Sequence, residues 1–298
     1  MMKVGVIVPQ GWTGEYAGWH PAEAWDRTVS IAHEAERLGF ESLWAFDHMH
    51  TTPEPTDEIT FESHTILSAL ARETRRVRLG HIVACAGYRN PALLAKMIST
   101  LDVVSGGRAE LGIGAGWKRD EWEAYGYGFP STPERLDLLR ESLEITTRMF
   151  GSGRATFSGD RVWVAGAINE PSSFNGSAIP IMVGGNGRNV TWRFAARHAD
   201  ELNLDAMPPD DVRDAMPVIR ARCEEIGRDP DSLRVSVHIW WEHMPADEGA
   251  IADLLRQYAA VGVDRVQTLP RAAVDDPEVL ERLASAATAA DMPAAAIP

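Results

Sequence analysis

The chain has 298 residues, of which 45% are hydrophobic, and a formal net charge of −14 at pH 7. This acidic balance argues against a nucleic-acid or anionic-membrane partner. No stretch approaches the roughly 18 consecutive apolar residues of a membrane-spanning helix, so none is expected. The two cysteines, Cys85 and Cys223, form neither a disulfide framework nor a metal motif, which favours a reducing cytoplasm as the location.

Predicted strands alternate with predicted helices along the whole chain. Runs of β-branched residues, such as Lys3 to Val8, are typical of buried parallel strands. The helices show a 3.6-residue periodicity, with boundary signals such as Gly39 and Pro91. Strands are predicted over 3–8, 42–46, 77–83, 109–113, 180–183, 201–204, 234–240 and 265–269. Helices are predicted over 22–38, 62–73, 91–104, 134–150, 189–198, 210–225, 248–261 and 276–289, and the Ala/Pro tail is expected to fray.

Eight strands, each followed by a helix, favour an α/β fold of the (β/α)8 TIM-barrel type over a doubly wound open sheet. The loop after the first strand begins Gln10-Gly11-Trp12 and lacks the Gly-x-Gly-x-x-Gly of a dinucleotide site. Residues 151–179 interrupt the alternation with Gly, Ser, Pro and Asn, and contain a β-like piece around 155–164. We therefore predict a single TIM-barrel domain over 1–298, with 151–179 as an inserted segment.

The fourth strand ends in Gly114-Ala115-Gly116-Trp117, and a helix-like segment follows over 118–125. Small residues at the end of a strand allow a ligand to approach closely, because no side chain stands in the way. Proteins of the α/β class place flat ligands at such positions. The alternative is a tight turn in which Trp117 packs into the core.

A second glycine-rich turn, Gly184-Gly185-Asn186-Gly187-Arg188, follows the fifth strand and opens a helix. Its backbone N–H groups, the helix N-terminus and Arg188 are together suited to bind a phosphate group. The alternative is a glycine turn with a solvated arginine.

The segment Asp47-His48-Met49-His50 follows the second strand. A His-x-His pair can bind a metal ion, but the first strand supplies no further ligand, so a metal site is disfavoured. A general-acid or hydrogen-bonding role for His48 and a purely structural role both stay open. Cys85 has no adjacent base, which favours a place in the pocket wall over a role as nucleophile.

In a TIM barrel the C-terminal ends of the strands converge on one site. The first strand brings Trp12 there, the sixth brings Asn203 and Asp205, and the seventh brings His238 and Trp240. With the two glycine-rich turns, these residues describe an aromatic pocket that is short of carboxylate clusters. Such a pocket suits a planar ring better than a metal ion.

Five motifs occur in order along the chain and resemble one known family. They are Glu-Ser-Leu-Trp-Ala-Phe-Asp-His at 41–48, Tyr-Arg-Asn-Pro-Ala-Leu-Leu-Ala-Lys at 88–96, Leu-Asp-Val-Val-Ser-Gly-Gly-Arg at 101–108, Gly-Ile-Gly-Ala-Gly-Trp at 112–117 and Val-Gly-Gly-Asn-Gly at 183–187. Together they resemble the luciferase-like barrel superfamily, in particular its branch of F420-dependent oxidoreductases, over nearly the whole chain.

This resemblance implies a flavin-type ring in the barrel mouth. In such proteins the third strand ends in a bulge, often with a non-prolyl cis peptide, that supports the back face of the ring; we expect that bond between Cys85 and Ala86. Residues 151–179 would be the family's insertion after the fourth helix. The implied cofactor-binding residues are Ala84, Cys85, Ala86, Gly114, Ala115, Gly116, Trp117, Gly184, Gly185, Asn186, Gly187 and Arg188.

The resemblance also implies catalytic roles for Asp47 and His48 near the ring, with His48 or His238 as proton partner. Substrate choice would depend on Trp12 and Trp240. The expected function is hydride transfer between coenzyme F420 and a small organic substrate by a homodimer. The alternatives are a reduced-FMN monooxygenase on the same fold, a metal-dependent barrel hydrolase, and a non-catalytic flavin-binding relative.

Overall fold

The computed structural model describes residues 1–292, so the end of the tail that was expected to fray, 293–298, lies outside the described residues. The strands are β1 (Lys3–Ile7), β2 (Ser42–Ala45), β3 (Arg78–His81), β4 (Ala84–Cys85), β5 (Ala109–Gly114), β6 (Arg154–Ser158), β7 (Trp163–Ile168), β8 (Ile181–Gly184), β9 (Glu201–Asp205), β10 (Arg234–Ile239) and β11 (Arg265–Thr268). The helices are α1 (Pro21–Arg37), α2 (Ser63–Glu73), α3 (Pro91–Ser105), α4 (Arg119–Ala124), α5 (Thr132–Phe150), α6 (Thr191–His198), α7 (Pro209–Glu224), α8 (Glu248–Ala260) and α9 (Glu278–Ala289). Within 1–292 no helix combines the length and apolar character needed to cross a membrane.

Eight strands form a closed parallel barrel in the order β1, β2, β3, β5, β8, β9, β10, β11, and β11 pairs back onto β1. Val6 shows the closure, because it pairs with Leu43 on one side and Thr268 on the other. Helices connect successive strands and bury apolar faces in the same core as the strands. The predicted (β/α)8 TIM barrel is therefore confirmed.

Trp44 fills the middle of the barrel interior and is fully buried. A Cβ atom on Gly5 would lie 2.8 Å from its Nε1, and one on Gly80 would lie 2.5 Å from its Cζ3. The strands on either side of β2 therefore carry glycine opposite the indole ring. The indole N–H donates a 2.8 Å hydrogen bond to Ser42, which satisfies its polar atom without water.

The third barrel strand is broken, although the sequence predicted it as continuous over 77–83. β3 ends at His81, and the chain resumes pairing as β4, whose Cys85 lies opposite Gly114. The non-prolyl cis peptide joins Ile82 and Val83, so its expected position at Cys85–Ala86 was wrong. Cys85 instead lies in regular pairing opposite Gly114, and the next residue, Ala86, donates its N–H to the Gly114 carbonyl at 2.9 Å.

Residues 151–179 contain an antiparallel hairpin of β6 and β7, in the region where the β-like piece was predicted. Asn169 attaches it to the barrel helices by donating 2.8 Å hydrogen bonds to Ser99 of α3 and to the Met149 carbonyl of α5. The hairpin thus packs on the outside of the barrel, away from the strand ends that form the site.

Candidate active site

A cavity of about 260 Å³ opens at the C-terminal ends of the barrel strands. The predicted site residues that line it are Trp12, Asp47, His48, Cys85, Gly114, Ala115, Gly116, Trp117, Gly184, Gly185, Asn203, Asp205, His238 and Trp240. The predicted cofactor-binding residues that do not line it are Ala84, Ala86, Asn186, Gly187 and Arg188. Its wall also includes residues for which no role was predicted: Phe46, Ile82, Val83, Tyr88, Lys118 and Thr191.

Asp47 lines the cavity, but protein donors occupy its buried carboxylate. Arg89 binds it with two N–H groups at 2.7 and 2.9 Å, and the Ser63 hydroxyl and the Cys85 N–H donate at 3.0 and 2.8 Å. Burial by itself would raise the pKa of Asp47, but the Arg89 guanidinium outweighs it and holds that pKa well below its usual range. Asp47 is therefore a permanent carboxylate that fixes the position of β4.

His48 lies beside Asp47 but has a different partner, Glu121 of α4. The His48 Nδ1 lies 2.8 Å from an oxygen of Glu121, whose side chain is fully buried. Burial would raise the pKa of Glu121, yet hydrogen bonding to His48 and to the Met49 N–H keeps it below the usual value. An ionised carboxylate only accepts hydrogen bonds, so Nδ1 carries a proton and Nε2 is the atom available to a ligand.

The ring of His48 is held between aromatic side chains. Trp12 stacks on it with ring centres 4.0 Å apart and planes inclined by 3°, and Trp117 approaches its edge at 5.8 Å. Tyr88 supports the arrangement by donating a 3.1 Å hydrogen bond to Glu121. The imidazole is thus fixed both by hydrogen bonding and by stacking.

Glu121 is a site residue that was not predicted from the sequence. It lies in the first turn of a helix, where an acidic residue often does no more than interact favourably with the helix dipole. A usable signal was present, because Glu121 precedes the apolar Trp122 just after the glycine-rich end of β5. The pairing itself spans 73 residues of chain and requires the folded barrel.

Val83 projects between the glycines that end β5 and β8. A Cβ atom on Gly114 would lie 2.7 Å from a Val83 methyl carbon, and one on Gly184 would lie 2.9 Å from the other. These glycines therefore make room for Val83, which lines the cavity. Ala84 and Ala86 instead pack in the main hydrophobic core, because successive residues of a strand face opposite sides.

Cys85 is part of the cavity wall, as the sequence predicted. Burial raises the pKa of its thiol to about 12, so the thiolate needed for nucleophilic attack does not form near neutral pH. A Cβ atom on Gly116 would lie 2.5 Å from its sulfur, which explains why a glycine follows Ala115.

The turn after β8 divides into two parts. Gly184 and Gly185 line the cavity, whereas Asn186, Gly187 and Arg188 are exposed. The Arg188 guanidinium lies over the Trp192 ring, 5.6 Å from its centre. Of the predicted phosphate-binding turn, only the first two glycines therefore line the cavity.

Asn186 binds the backbone of Asp205 at the end of β9. Its side-chain N–H donates to the Asp205 carbonyl at 2.8 Å, and its carbonyl accepts from the Asp205 N–H at 3.0 Å. The Asp205 carboxylate accepts from the Trp240 indole at 2.9 Å and lies 3.4 Å from Nδ1 of His238. Asp205 thus orients His238 and Trp240 in the cavity wall.

The other ring nitrogen of His238, Nε2, is buried and has no hydrogen-bond partner within residues 1–292. Buried polar atoms of this kind are normally satisfied by protein, water or ligand. Because His238 lines the cavity, a bound group with hydrogen-bonding atoms would complete its set of partners.

A family model described as luciferase-like monooxygenase matches residues 2–295. The chain belongs to the luciferase-like monooxygenase family. Its relatives include F420-dependent enzymes and monooxygenases, so the expected resemblance is confirmed at the family level.

Three relatives show this range. The chain is 29% identical over 216 residues to a 5,10-methylenetetrahydromethanopterin reductase of Methanolobus tindarius, covering 72% of this chain and 61% of that one. It is 29% identical to an F420-dependent glucose-6-phosphate dehydrogenase of Intrasporangium calvum, covering 95% and 81%. It is 26% identical to the pyrimidine monooxygenase RutA of Escherichia coli, covering 86% and 72%. The chain thus spans less than two thirds of the first of these proteins.

Solved structures of both kinds share the fold. An F420-dependent secondary alcohol dehydrogenase in complex with an F420–acetone adduct superposes with a TM-score of 0.80 at 18% identity, covering 97% of this chain and 99% of that one. The oxygenating constituent of 3,6-diketocamphane monooxygenase from Pseudomonas putida, in complex with FMN, gives 0.74 at 20% identity, covering 100% and 99%. At these identities the likeness establishes the barrel alone.

The cavity of this luciferase-like protein fits a flavin-type ring. Its walls are formed largely by aromatic side chains and by glycine-containing strand ends, which suit a flat apolar face. Val83 presents a branched methyl surface, and His238 presents an unpartnered ring nitrogen for the polar edge of such a group. Val83, Gly114 and Gly184 would contact the ring.

A metal-dependent hydrolase would need several metal-ligating side chains directed at one point. In residues 1–292 of this luciferase-like chain, no group of three or more His, Cys, Asp or Glu side chains is placed to hold a metal ion. The Asp47 carboxylate is bound by Arg89, and Nδ1 of His48 is bound by Glu121. Two of the side chains that the hydrolase alternative would use therefore already have protein partners.

Proposed function

We propose that this chain is an F420-dependent oxidoreductase that transfers hydride between the cofactor and a small carbonyl compound or alcohol. The observation that carries the proposal is the His48–Glu121 pair, in which a buried carboxylate orients an imidazole at an aromatic cavity. Reduction of a carbonyl to an alcohol requires one proton for each hydride, so a fixed proton carrier suits this chemistry. When bound, reduced F420 supplies the hydride.

His48 would act at its Nε2. In alcohol oxidation, the Nε2 lone pair would take the hydroxyl proton while the carbon gives its hydride to the oxidised cofactor, and the product would be a carbonyl compound. The imidazolium formed is stabilised by the Glu121 carboxylate at 2.8 Å. In the reverse direction the imidazolium returns the proton to the oxygen as the carbon receives the hydride.

The roles of the remaining predicted residues follow from their contacts. Asp47 would be a positioning residue, because its carboxylate is occupied by Arg89 and holds the Cys85 N–H. His238 would hydrogen-bond the bound ring or substrate through Nε2. Trp12 and Trp240 would restrict the substrate to small or flat molecules.

A reduced-FMN monooxygenase is the second candidate. The relative that favours it is RutA, which aligns with 86% of this chain. Both candidates use the same cavity, and they differ in the cofactor bound and in the consumption of oxygen.

The test is an anaerobic fluorescence titration of the protein with F420 and, in parallel, with FMN. We expect saturable binding of F420 and much weaker binding of FMN. Selective FMN binding with oxygen uptake would replace the proposal with the monooxygenase, and binding of neither would refute both.

Glu121→Gln tests the proton carrier separately from cofactor binding. Without the carboxylate, the His48 imidazolium loses its stabilisation, so kcat should fall by about 100-fold while the F420 dissociation constant stays nearly constant. Glu123→Gln, on the exposed side of the same helix, is the matched control and should leave kcat unchanged. An unaltered kcat in Glu121→Gln would show that the His48–Glu121 pair is not the proton carrier.

We also propose that the enzyme is a homodimer acting in the cytoplasm. The cytoplasmic location is supported by Cys85 and Cys223, which are both free thiols. Sedimentation analysis of the purified protein tests whether it is a homodimer.

A further inference from the structure

We propose that the substrate carries a compact anionic group, a carboxylate or a phosphate, and that the ammonium group of Lys118 binds it. This inference rests on the proposed function, because it assigns a substrate class to the same cavity. Lys118 follows Trp117 at the end of β5 and lines the cavity. Its side chain is only 5% exposed, whereas lysine is almost never buried without a partner.

A buried ammonium group needs compensation for the water that it loses. Within residues 1–292 its hydrogen-bond partner is Asp120, whose carboxylate lies 2.9 Å from Nζ. An ammonium group has three N–H donors, and this contact uses one of them. The Asp120 side chain is 43% exposed, so water already hydrates part of its charge. Lys118 therefore retains N–H donors for a ligand.

The two carboxylates that line the cavity, Asp47 and Asp205, already have protein partners. The Asp47 carboxylate binds Arg89 in a two-fold contact, and the Asp205 carboxylate is held by Trp240 and lies near His238. Among the described lining residues, Lys118 is the only lysine or arginine. An anionic substrate group would thus find one cation with free donors, and that cation determines where it binds.

Lys118 also lies on the part of the wall that carries the proton partner. It is three residues before Glu121, which orients His48, and its partner Asp120 lies 3.7 Å from the His50 ring. A substrate held by its anionic end at Lys118 would place an adjacent carbonyl or hydroxyl group on the side of the cavity where His48 lies. Short 2-oxo and 2-hydroxy acids have this arrangement of groups.

The experiment compares pyruvate with pyruvamide, its neutral counterpart of nearly the same shape. Binding is measured by quenching of tryptophan fluorescence, because Trp12 and Trp117 line the cavity, both with and without cofactor. We expect pyruvate to bind at least tenfold more tightly than pyruvamide, and Lys118→Met to abolish this preference. Inorganic phosphate is added as a competitor to distinguish the two anionic groups. If phosphate displaces bound pyruvate at a lower concentration than pyruvate itself needs to bind, the site prefers a phosphate group.

Arg119→Met is the matched control, because Arg119 is the next residue, is 64% exposed and pairs with Glu123. It should keep the preference for pyruvate, and Lys118→Arg should keep part of it. Equal binding of pyruvate and pyruvamide, no binding of either anion, or a preference that survives Lys118→Met would overturn the proposal. A tenfold loss of F420 affinity in Lys118→Met with the preference intact would instead assign Lys118 to the cofactor.

The two proposals fail in different ways. If the protein binds F420 but does not distinguish the charged from the neutral probe, the oxidoreductase proposal stands and the anion site fails. If the Lys118-dependent preference is present but F420 does not bind, the anion site stands and the proposed cofactor is wrong. Circular dichroism melting curves of each variant show whether it is folded.

Discussion

Asp47 and His48 are neighbours in sequence, but the fold gives them different electrostatic partners. Arg89 forms an ion pair with Asp47, while the buried Glu121 carboxylate binds Nδ1 of His48. Asp47 therefore holds the local geometry, and in the proposed reaction His48 is the residue that would carry the proton. The sequence motif Asp-His predicted that both residues would lie at the site, but it carried no information about this division of roles.

Two further histidines, His64 and His81, lie close to Asp47. The rings of His64 and His81 have centres 4.0 Å apart, and Nε2 of His64 and both ring nitrogens of His81 lack partners within residues 1–292. Burial, together with the nearby Arg89 charge, lowers the pKa of His64 to about 4. Burial also lowers the pKa of His81 well below its usual value. Both rings are therefore neutral in the folded protein at neutral pH.

These histidines should make stability depend on pH. The unfolded chain binds protons below the ordinary histidine pKa of about 6.5, while folded His64 binds one only near 4. The stabilisation is therefore complete above about 6.5 and decreases as the pH falls toward 4, by about 3 kcal/mol for His64. His64→Leu should flatten this part of the curve of unfolding free energy, measured by urea denaturation at a series of pH values.

His33→Leu is the control, because its side chain is 50% exposed. It should leave the slope between pH 6.5 and 4 as in the wild type. If His64→Leu and the wild type show the same slope, the burial of a neutral His64 is not the cause.

At the scale of elements, the glycines of β5 and β8 have a different use from the one predicted. The sequence predicted that these glycines leave space for a ligand. Part of that space is instead filled by Val83, which lies in the break between β3 and β4. The break, the two glycines and the methyl groups form one packing unit. Its parts come from three separate strands, so no local pattern in the sequence indicates it.

Gly114→Ala should disturb this unit. The added methyl group would lie 2.7 Å from a Val83 methyl carbon, which should lower the free energy of unfolding by about 1–3 kcal/mol and weaken F420 binding. Val83→Ala removes the clashing methyl groups, so the double variant should be more stable than the sum of the single effects predicts. Gly151→Ala, where a methyl group meets only ordinary contacts, is the control. Additive effects in urea denaturation would disprove the coupling.

At the scale of the whole molecule, the two ends of the barrel differ: one carries a network of buried ion pairs and the other carries the cavity. At the N-terminal ends of the strands, Arg265 is 5% exposed and contacts Glu110 at 2.9 Å, Glu201 at 3.1 Å and Glu41 at 3.0 Å. Arg78 also pairs with Glu110. These charges belong to residues in or next to different strands and cross the barrel axis. The opposite end carries the cavity.

Arg265→Met should lower the free energy of unfolding by about 3–5 kcal/mol, because it removes the buried partner that three carboxylates share. Adding Glu110→Gln and Glu201→Gln removes these charges and should restore part of the loss. Arg256→Met, which removes an exposed pair with Asp253, should cost less than about 1 kcal/mol. Chemical denaturation checks the series, and an Arg265→Met variant as stable as the Arg256 control would contradict this role.

The sequence alone determined the alternation of strands and helices, the barrel, the inserted segment with its β-like piece, and the end of the barrel at which the candidate site lies. It could do so because hydrophobic periodicity, glycine and proline act over a few residues, and because a run of eight βα units closes in one way. Trp12, His48, Gly114 and His238 were accordingly placed at the cavity.

Only the tertiary structure decided which side chains work together. The pairing of His48 with Glu121 spans 73 residues, that of Asp47 with Arg89 spans 42, and the burial of Lys118 depends on the surrounding wall. Likewise, only the structure showed that Arg188 of the predicted phosphate-binding turn lies over the ring of Trp192. Such contacts depend on strand register, on the break in the third strand and on side-chain direction, which are set when the barrel closes and not by neighbouring residues in the chain.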